Sequence, residues 1–405
     1  MNICKTFYGI EDNFFNEKGC INTASEIAGQ AKLWNELSDI LRANKQRISD
    51  FVKRVDLQKT RIILTGAGSS AFIGEALALF AAKSLKVKCE VIHTTDIVSA
   101  PETVLFPDIP TLLISFARSG NSPESAGAVL YARKAVKNLQ EVAIVCDGSS
   151  KLANITSENE KNLVLVMPEG SNDKGFAMTS SVTCMLLAGF AFLNFDKIDE
   201  IVNDISLLSQ NTMKSSLNLS VMAQKYAKTH FDRAVYLASG AFKGLAHEGA
   251  LKMMELSNGE VNACFDSATG FRHGPKTVLK DNTLSLHFIS SDPFTAKYDR
   301  DLLAEMLREK NKNTIVAICG DNEKDLKAGT DRVSADDIIT LISGYGFSGD
   351  LCMGISGLVF FQMLAMFKSI ELGVTTDNPC PGGQVNRVVK GVTVYPYDLK
   401  NHNEN

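Results

Sequence analysis

Short apolar runs rich in β-branched residues recur along the chain. Between them lie longer stretches whose apolar positions return every three or four residues. In the first part the runs are Arg61–Thr65, Glu90–Ile92, Thr111–Ser115, Val142–Cys146 and Leu163–Met167. Runs of this length and composition predict strands, and the stretches between them predict helices. Strict alternation of the two implies an α/β fold, a parallel sheet with helices on both faces. Ahead of the first run the chain is polar and helix-prone. There Trp34, Leu37, Ile40, Leu41 and Ile48 make a loose helical stripe.

The pattern then repeats. The segment Arg61-Ile-Ile-Leu-Thr-Gly-Ala-Gly-Ser is echoed by Arg233-Ala-Val-Tyr-Leu-Ala-Ser-Gly-Ala. The strand at Leu112 is echoed near Leu284, Val142–Cys146 by Ile315–Cys319, and Leu163–Met167 by Ile338–Ile342. The apolar helix after Met178 matches the one after Cys352. A near-constant offset over five elements predicts two homologous α/β halves. The expected organisation is a helical extension at 1–50, a first domain at 51–212, a second at 213–375, and a turn-rich tail at 376–405 carrying a final strand between Val385 and Val394.

Composition narrows the class. The chain has 405 residues, 45% hydrophobic and 22% charged, with a net charge of −4. That balance gives no basic surface for nucleic acid. No apolar stretch reaches the ~18 residues of a membrane helix; Leu186–Phe195 is too short. Met1 to Ser25 carries acids and lacks a signal-peptide core. The nine cysteines are scattered without a C-x-x-C pair, as expected of reduced thiols, mostly buried. A cytoplasmic protein with no membrane partner is expected. No cluster has metal-ligand spacing, and no cofactor is expected.

The chemistry concentrates at strand ends. After the run at Thr111 the chain reads Ser115-Phe116-Ala117-Arg118-Ser119-Gly120-Asn121-Ser122-Pro123-Glu124-Ser125. Hydroxyls, one Gly and one Arg run directly into a helix, with Ser122 as N-cap and Pro123 as N1. Such a start suits a dianion like a phosphate monoester. A capped surface turn is the bland alternative for any single serine there. The loop Gly66-Ala67-Gly68-Ser69-Ser70-Ala71 fits G-x-G-x-x-A, so a dinucleotide site is its rival. The acidic ribose partner expected about 20 residues on is badly placed, since Glu90 begins its strand and Asp96 ends it. Thr179-Ser180-Ser181 opens a third helix. Hydroxyl-rich helix starts converge on one edge of a parallel sheet. In the second half Ile289-Ser-Ser-Asp-Pro replaces the Ser/Arg loop, and an acid there repels phosphate; the anion is therefore assigned to the first half.

Three further motifs stand apart. Glu248, Lys252 and Glu255 share one face of a helix, read most simply as a salt-bridged face. His273 lies in Phe271-Arg272-His273-Gly274-Pro275 and can titrate near neutral pH. Lys390 sits beside the expected final strand, where a solvated lysine is the plain alternative.

Together these pieces resemble the sugar isomerase (SIS) family, which pairs two SIS domains and includes the isomerase half of glucosamine-6-phosphate synthase. The resemblance covers residues 50–395. Ile-Ile-Leu-Thr-Gly-Ala-Gly, Ser-Gly-Asn-Ser-Pro-Glu-Ser, Gly-Phe-Ala-Met-Thr-Ser-Ser and Thr-Gly-Phe-Arg-His-Gly-Pro-Lys further resemble the AgaS group of galactosamine-6-phosphate deaminases and tagatose-6-phosphate isomerases. The resemblance implies a flavodoxin-like three-layer sandwich in each half. It implies sugar-phosphate contacts from Gly68, Ser69, Ser70, Arg118, Ser119, Ser122, Thr179 and Ser180. Arg118 and Ala117 stand where the synthase has Gln and Ser, so a hydroxyl is lost and a cation gained. Glu255 matches the acid/base between C1 and C2. His273 matches the ring-opening residue, which in the family reaches over from a neighbouring subunit, so a homodimer or higher oligomer is implied. Two extra residues separate Glu255 from His273 here. Lys390 matches the lysine near the sugar's reactive end, and Glu248 another acid of the same helix.

The synthase carries an N-terminal glutaminase domain with a nucleophilic terminal Cys. Here some 50 polar residues stand in that place and Cys4 is not terminal. Ammonia release, rather than amination from glutamine, is expected. The expected activity is conversion of D-galactosamine 6-phosphate to tagatose 6-phosphate and ammonia. The alternatives are aldose/ketose isomerisation of tagatose 6-phosphate and a non-catalytic sugar-phosphate sensor.

Overall fold

The computed structural model describes residues 6–309, 313–321, 338–389 and 391–397. The chain opens with a two-strand hairpin, β1 (Thr6–Phe7) and β2 (Ile10–Glu11), and two helices, α1 (Asp12–Glu17) and α2 (Ile21–Lys53). Strand–helix alternation follows: β3 (Arg61–Thr65), α3 (Ser69–Leu85), β4 (Cys89–Val91), α4 (Thr94–Ser99), α5 (Pro101–Val104), β5 (Thr111–Ala117), α6 (Pro123–Ala135), β6 (Leu139–Val145), α7 (Lys151–Ser157), β7 (Leu163–Val166) and α8 (Ser180–Leu193). After the long α9 (Ile198–Ala227) come β8 (Arg233–Ala238), α10 (Phe242–Leu256), β9 (Asn262–Asp266), α11 (Ala268–Phe271), β10 (Thr283–Phe288), α12 (Thr295–Arg308), β11 (Thr314–Gly320), β12 (Ile338–Leu341) and α13 (Gly349–Glu371).

Two parallel five-stranded sheets result, β4-β3-β5-β6-β7 and β12-β11-β10-β8-β9. Their strand orders correspond, so the repeat in the sequence is a repeat of the fold. The repeat has one member beyond the runs read from sequence. Strand β9 (Asn-Ala-Cys-Phe-Asp) pairs with β8 as β4 pairs with β3. An edge strand needs few apolar residues, which is why its polar ends hid it. The expected final strand between Val385 and Val394 is not formed: the described residues there are turns and irregular chain. Asp96 does not end a strand; it lies in the first turn of α4.

Contacts divide the chain into two compact units whose limits differ from domain boundaries at 50, 212 and 375. The first-sheet unit comprises Glu36–Asn172, Ser180–Val202 and the chain from Gly383. The second-sheet unit comprises the chain up to Asn35, Asp173–Thr179 and Asn203–Gly382. The reason is physical. Helix α2 is continuous through residue 50 and α9 through residue 212, so neither position is a linker.

In the first-sheet unit, Ile63, Leu113, Ala143 and Val145 pack against α4, α6 and α7 on one face. The other face takes α3 and α8. There Gly189 of α8 is a close approach: a Cβ would stand 2.6 Å from Leu77 Cδ1 and 3.0 Å from Phe116 Cε1. In the second-sheet unit, Val235 and Leu237 pack against α11 and α12. On the opposite face Tyr236 meets Phe361 of α13 edge to face at 4.9 Å. Helix α13 is long and apolar enough to cross a membrane, contrary to the expectation that no stretch would be. Yet 94% of its apolar window is buried inside the protein. Its hydrophobicity serves a core helix, all-round apolar because it is covered all round.

Candidate functional site

The open edge of the first sheet is built at the carboxyl ends of β3 and β5, neighbours in the sheet and the point where strand order reverses. Crevices of parallel sheets lie at such points because successive helices leave on opposite faces. Gly66 begins the loop after β3, and a Cβ there would sit 2.5 Å from the Ser70 carbonyl carbon. Only glycine lets the chain turn that tightly into α3. The N-cap is Gly68 at φ +55°, and Ser69 and Ser70 are buried in the first turn. At the start of α4, Thr94 N–H donates to Gly66 O at 2.8 Å, which ties that helix to the same loop. The adjoining His93 pairs with Glu75 at 3.6 Å, and that bond holds its pKa above the ordinary value.

The loop after β5 is fixed from below. Gly120 has φ +57°, and a Cβ would fall 2.4 Å from Ser150 Oγ. Its carbonyl accepts Leu152 N–H at 3.0 Å, and Asn121 Oδ1 accepts Lys151 N–H at 3.0 Å. The first turn of α7 thus clamps the loop. Ser122 is the N-cap of α6 and Pro123 its first residue, as the sequence predicts. The Ser122 side chain bonds no backbone N–H of the helix; its Oγ lies 2.7 Å from Ser125 Oγ. The two helix starts put positive dipole ends beside Ser70, Ser119 and Ser122.

Arg118 is buried at this edge, and its Nη2 donates to the Arg387 carbonyl at 2.7 Å. The tail from Gly383 therefore anchors on the residue that replaces the synthase's Gln. Farther along, Val394 approaches Gly127 and Lys134 Nζ donates to Tyr397 O at 3.1 Å, so the tail follows α6. Lys390 lies outside the described residues.

Ser180 opens α8 and is fully buried. Thr179, one residue earlier, belongs to the second-sheet unit, where its N–H donates to Asp173 Oδ2 at 2.8 Å and its hydroxyl to Asp173 Oδ1 at 3.0 Å. Both of its protons are spent, so Thr179 has none to give an anion. Its bonds fasten the loop that leads into α8. Asp173 escaped the sequence reading because a loop acid bonding six residues ahead follows no period.

In the second-sheet unit, α10 carries the acids. Glu248 and Lys252 are wholly buried, and Lys252 Nζ stands 3.3 Å from Glu248 Oε1. Lys252 also contacts Glu255 Oε2, and the Glu255 side chain keeps 27% of its exposure. Burial acts to depress the Lys252 ammonium, but the two carboxylates outweigh it and hold the pKa above its ordinary value. The salt-bridged face is thus an interior one. Removing Lys252 would strand the buried Glu248 carboxylate. Glu255 is the member through which the triad meets solvent.

His273 is exposed, on the turn after α11. Asp292 caps α12 by accepting the N–H groups of Phe294 and Thr295. The acid that occupies the second sheet's edge is Asp299, buried on α12. It accepts the Ser239 hydroxyl at 2.5 Å and Ser290 N–H at 3.0 Å. Sequence reasoning placed the acid at Asp292, in the loop itself; the working carboxylate is seven residues later, on the helix.

A SIS domain profile matches residues 57–194. D-galactosamine-6-phosphate deaminase AgaS of Shewanella sp. (strain ANA-3) is 38% identical over 383 residues, covering 94% of this chain and 93% of its own. The crystal structure of tagatose-6-phosphate ketose/aldose isomerase from Escherichia coli is similar with a TM-score of 0.83 at 34% identity, covering 93% of this chain and 96% of that one. A Clostridium novyi NT structure provisionally given the same activity has a TM-score of 0.91 at 38% identity, covering 97% of this chain and 100% of that one.

Proposed function

This chain belongs to the SIS family, in its AgaS group, and on that footing we propose that it converts D-galactosamine 6-phosphate and water to tagatose 6-phosphate and ammonia. It is an enzyme of sugar-phosphate chemistry, acting in amino-sugar breakdown. The observation that carries the chemistry is the α10 triad: a buried lysine presents one solvent-reaching carboxylate, Glu255.

The phosphate is the handle. Gly68, Ser69, Ser70, Arg118, Ser119, Ser122 and Ser180 are assigned to holding it, by hydroxyls, helix N-termini and one guanidinium. His273 assists opening of the pyranose ring, moving a proton between O1 and O5. In the open chain the C1 aldehyde acidifies the C2 hydrogen. Glu255 removes that proton, the electron pair shifts to O1, which takes up a proton from solvent, and the proton held by Glu255 returns at C1 as the nitrogen lone pair moves into the C2–N bond. The C2 amine is left as an imine, which water hydrolyses to the ketone with loss of ammonia. Lys390 is assigned to the charge at the O1/O2 end. A positioned acid/base is worth roughly 10²–10⁴ in rate. Binding of the remote phosphate supplies orientation.

A second reading keeps the same machinery. A hydrogen moves between C1 and C2 whether C2 bears nitrogen or oxygen, and two similar structures carry the name tagatose-6-phosphate ketose/aldose isomerase. Purified protein incubated with galactosamine 6-phosphate and assayed for ammonia separates the two. Ammonia in step with tagatose 6-phosphate is the expected result; rapid isomerisation of tagatose 6-phosphate with no ammonia would overturn the deaminase reading. We further propose that the enzyme is cytoplasmic and at least a homodimer, with His273 serving the neighbouring subunit.

A further inference from the structure

The two cations that flank His273 meet on one carboxylate. Arg272 Nε donates to Glu305 Oε2 at 2.8 Å, and its Nη2 reaches Asp301 Oδ2 at 2.9 Å. Lys276 Nζ contacts Glu305 Oε1 and also Glu309 Oε1. Glu305 therefore spends one oxygen on the residue before His273 and the other on the residue three after it. Glu305 and Asp301 lie on α12, and Glu309 follows its last turn.

The turn itself is short and bent. His273 N–H donates to Gly270 O at 2.9 Å, and Gly274 follows at φ +126°. Among the described residues the His273 imidazole has no hydrogen-bond partner. Where the ring stands is decided by the backbone on either side of it, and both sides are tied to Glu305. Four ion pairs on so short a turn are more than a surface loop needs for stability, since half-exposed pairs contribute little each. Their convergence explains why Arg and Lys bracket His-Gly-Pro in Arg272-His273-Gly274-Pro275-Lys276.

We infer that Glu305 is a positioning residue for ring opening: it staples the two ends of the His273 turn to α12 and so sets where the imidazole is presented. This rests on the reading of His273 as the ring-opening group. A proton relay tolerates little displacement, because reactivity falls steeply once the reacting atoms leave near-attack distance.

The test compares Glu305→Gln with His273→Gln on two substrates. One is galactosamine 6-phosphate, which is closed in solution. The other is its 4,5-dideoxy analogue, whose aldehyde has no hydroxyl with which to form a five- or six-membered ring. Glu305→Gln is expected to lower kcat on the closed substrate about tenfold or more, as a lost orientation effect. KM should stay within about twofold, because the phosphate handle is untouched. Turnover of the analogue should be unchanged, and Glu305→Asp should recover part of the loss. Half-exposed pairs predict a melting temperature shift below about 5 °C. Equal loss on both substrates would make Glu305 merely structural and overturn the inference. So would no loss from Glu305→Gln where His273→Gln shows one. If His273→Gln itself spares the closed substrate, the reading of His273 falls and takes this inference with it. Arg272→Gln and Lys276→Gln provide independent routes to the same staple should Glu305→Gln fold poorly.

Discussion

Thr179 gives both of its protons to Asp173, the N–H to one carboxylate oxygen and the hydroxyl to the other. The pair is fully buried. Asp173→Ala leaves two buried donors unpaired, which predicts a loss of about 3 kcal/mol in unfolding free energy. Urea denaturation would register it as a lower midpoint at unchanged slope. Thr179→Val, by contrast, should leave phosphate affinity within about twofold, since the hydroxyl proton it deletes was already committed to Asp173. A tenfold loss of inorganic phosphate binding in Thr179→Val would return Thr179 to the anion site.

Glu26 makes stability depend on pH. Burial, followed by the nearby Asp173 carboxylate, pushes its pKa up from 4.5 to about 7, against the pull of two backbone N–H groups. An acid with a raised folded-state pKa binds its proton more tightly when folded. Its contribution is therefore complete below pH 4.5 and is lost as pH rises through about 7. Thermal melts between those values should show stability falling with pH, and Glu26→Gln should flatten that slope. An unchanged slope in the variant would assign the pH dependence elsewhere.

The α10 triad makes a prediction about non-additivity. Lys252→Met alone strands Glu248 in the interior and should cost about 3–5 kcal/mol. Glu248→Gln combined with Lys252→Met removes the stranded charge, so the double variant should be more stable than Lys252→Met alone. A double-mutant cycle by chemical denaturation measures this directly. Strict additivity would mean that the two side chains are not coupled.

Glu255→Gln keeps the size of the side chain and removes its basicity. Turnover should fall by roughly 10²–10⁴, while calorimetric binding of inorganic phosphate stays at the wild-type value. Undiminished turnover would refute the assignment of the base.

Gly120→Ala combines a strained φ of +57° with a Cβ 2.4 Å from Ser150 Oγ. The loop after β5 must shift to accept it. KM for the sugar phosphate should rise about tenfold with kcat much less affected, since orientation of the handle is what the loop provides. Steady-state kinetics decides it. A kcat effect without a KM effect would place the loop's role elsewhere.

Most of the architecture was legible because it is written in short-range patterns. Apolar β-branched runs located nine of the ten main strands, and a constant offset disclosed the second sheet. The tenth, β9, escaped because an edge strand is covered on one side only and can be half polar. Val385–Val394 misled for the converse reason: its valines mimic a strand, but Val385, Val389 and Val392 are exposed, and Val394 packs beside Gly127 of α6 rather than in a ladder. Ser122-Pro123 was legible since capping is local. The burial of Lys252 was not, because α10 packs against α13, far along the chain, and nothing in the local spacing of α10 announces that cover. Asp173 and Asp299 were invisible for the same reason: each is made important by what folds against it.

Asp299 has a consequence for how this chain could have changed over time. Duplication of an α/β half leaves two equivalent strand edges, and both begin as cradles for an anion. In one copy a helix carboxylate now sits permanently on Ser239 and Ser290, doing from within what a ligand does from without. Such a resident anion makes loss of binding hard to reverse. Deleting it would orphan the serine hydroxyl and the backbone N–H together, so a single substitution would pass through a less stable protein before any ligand could replace it. That ratchet would keep the two copies specialised, with any commerce with small molecules left to the edge that carries no such carboxylate.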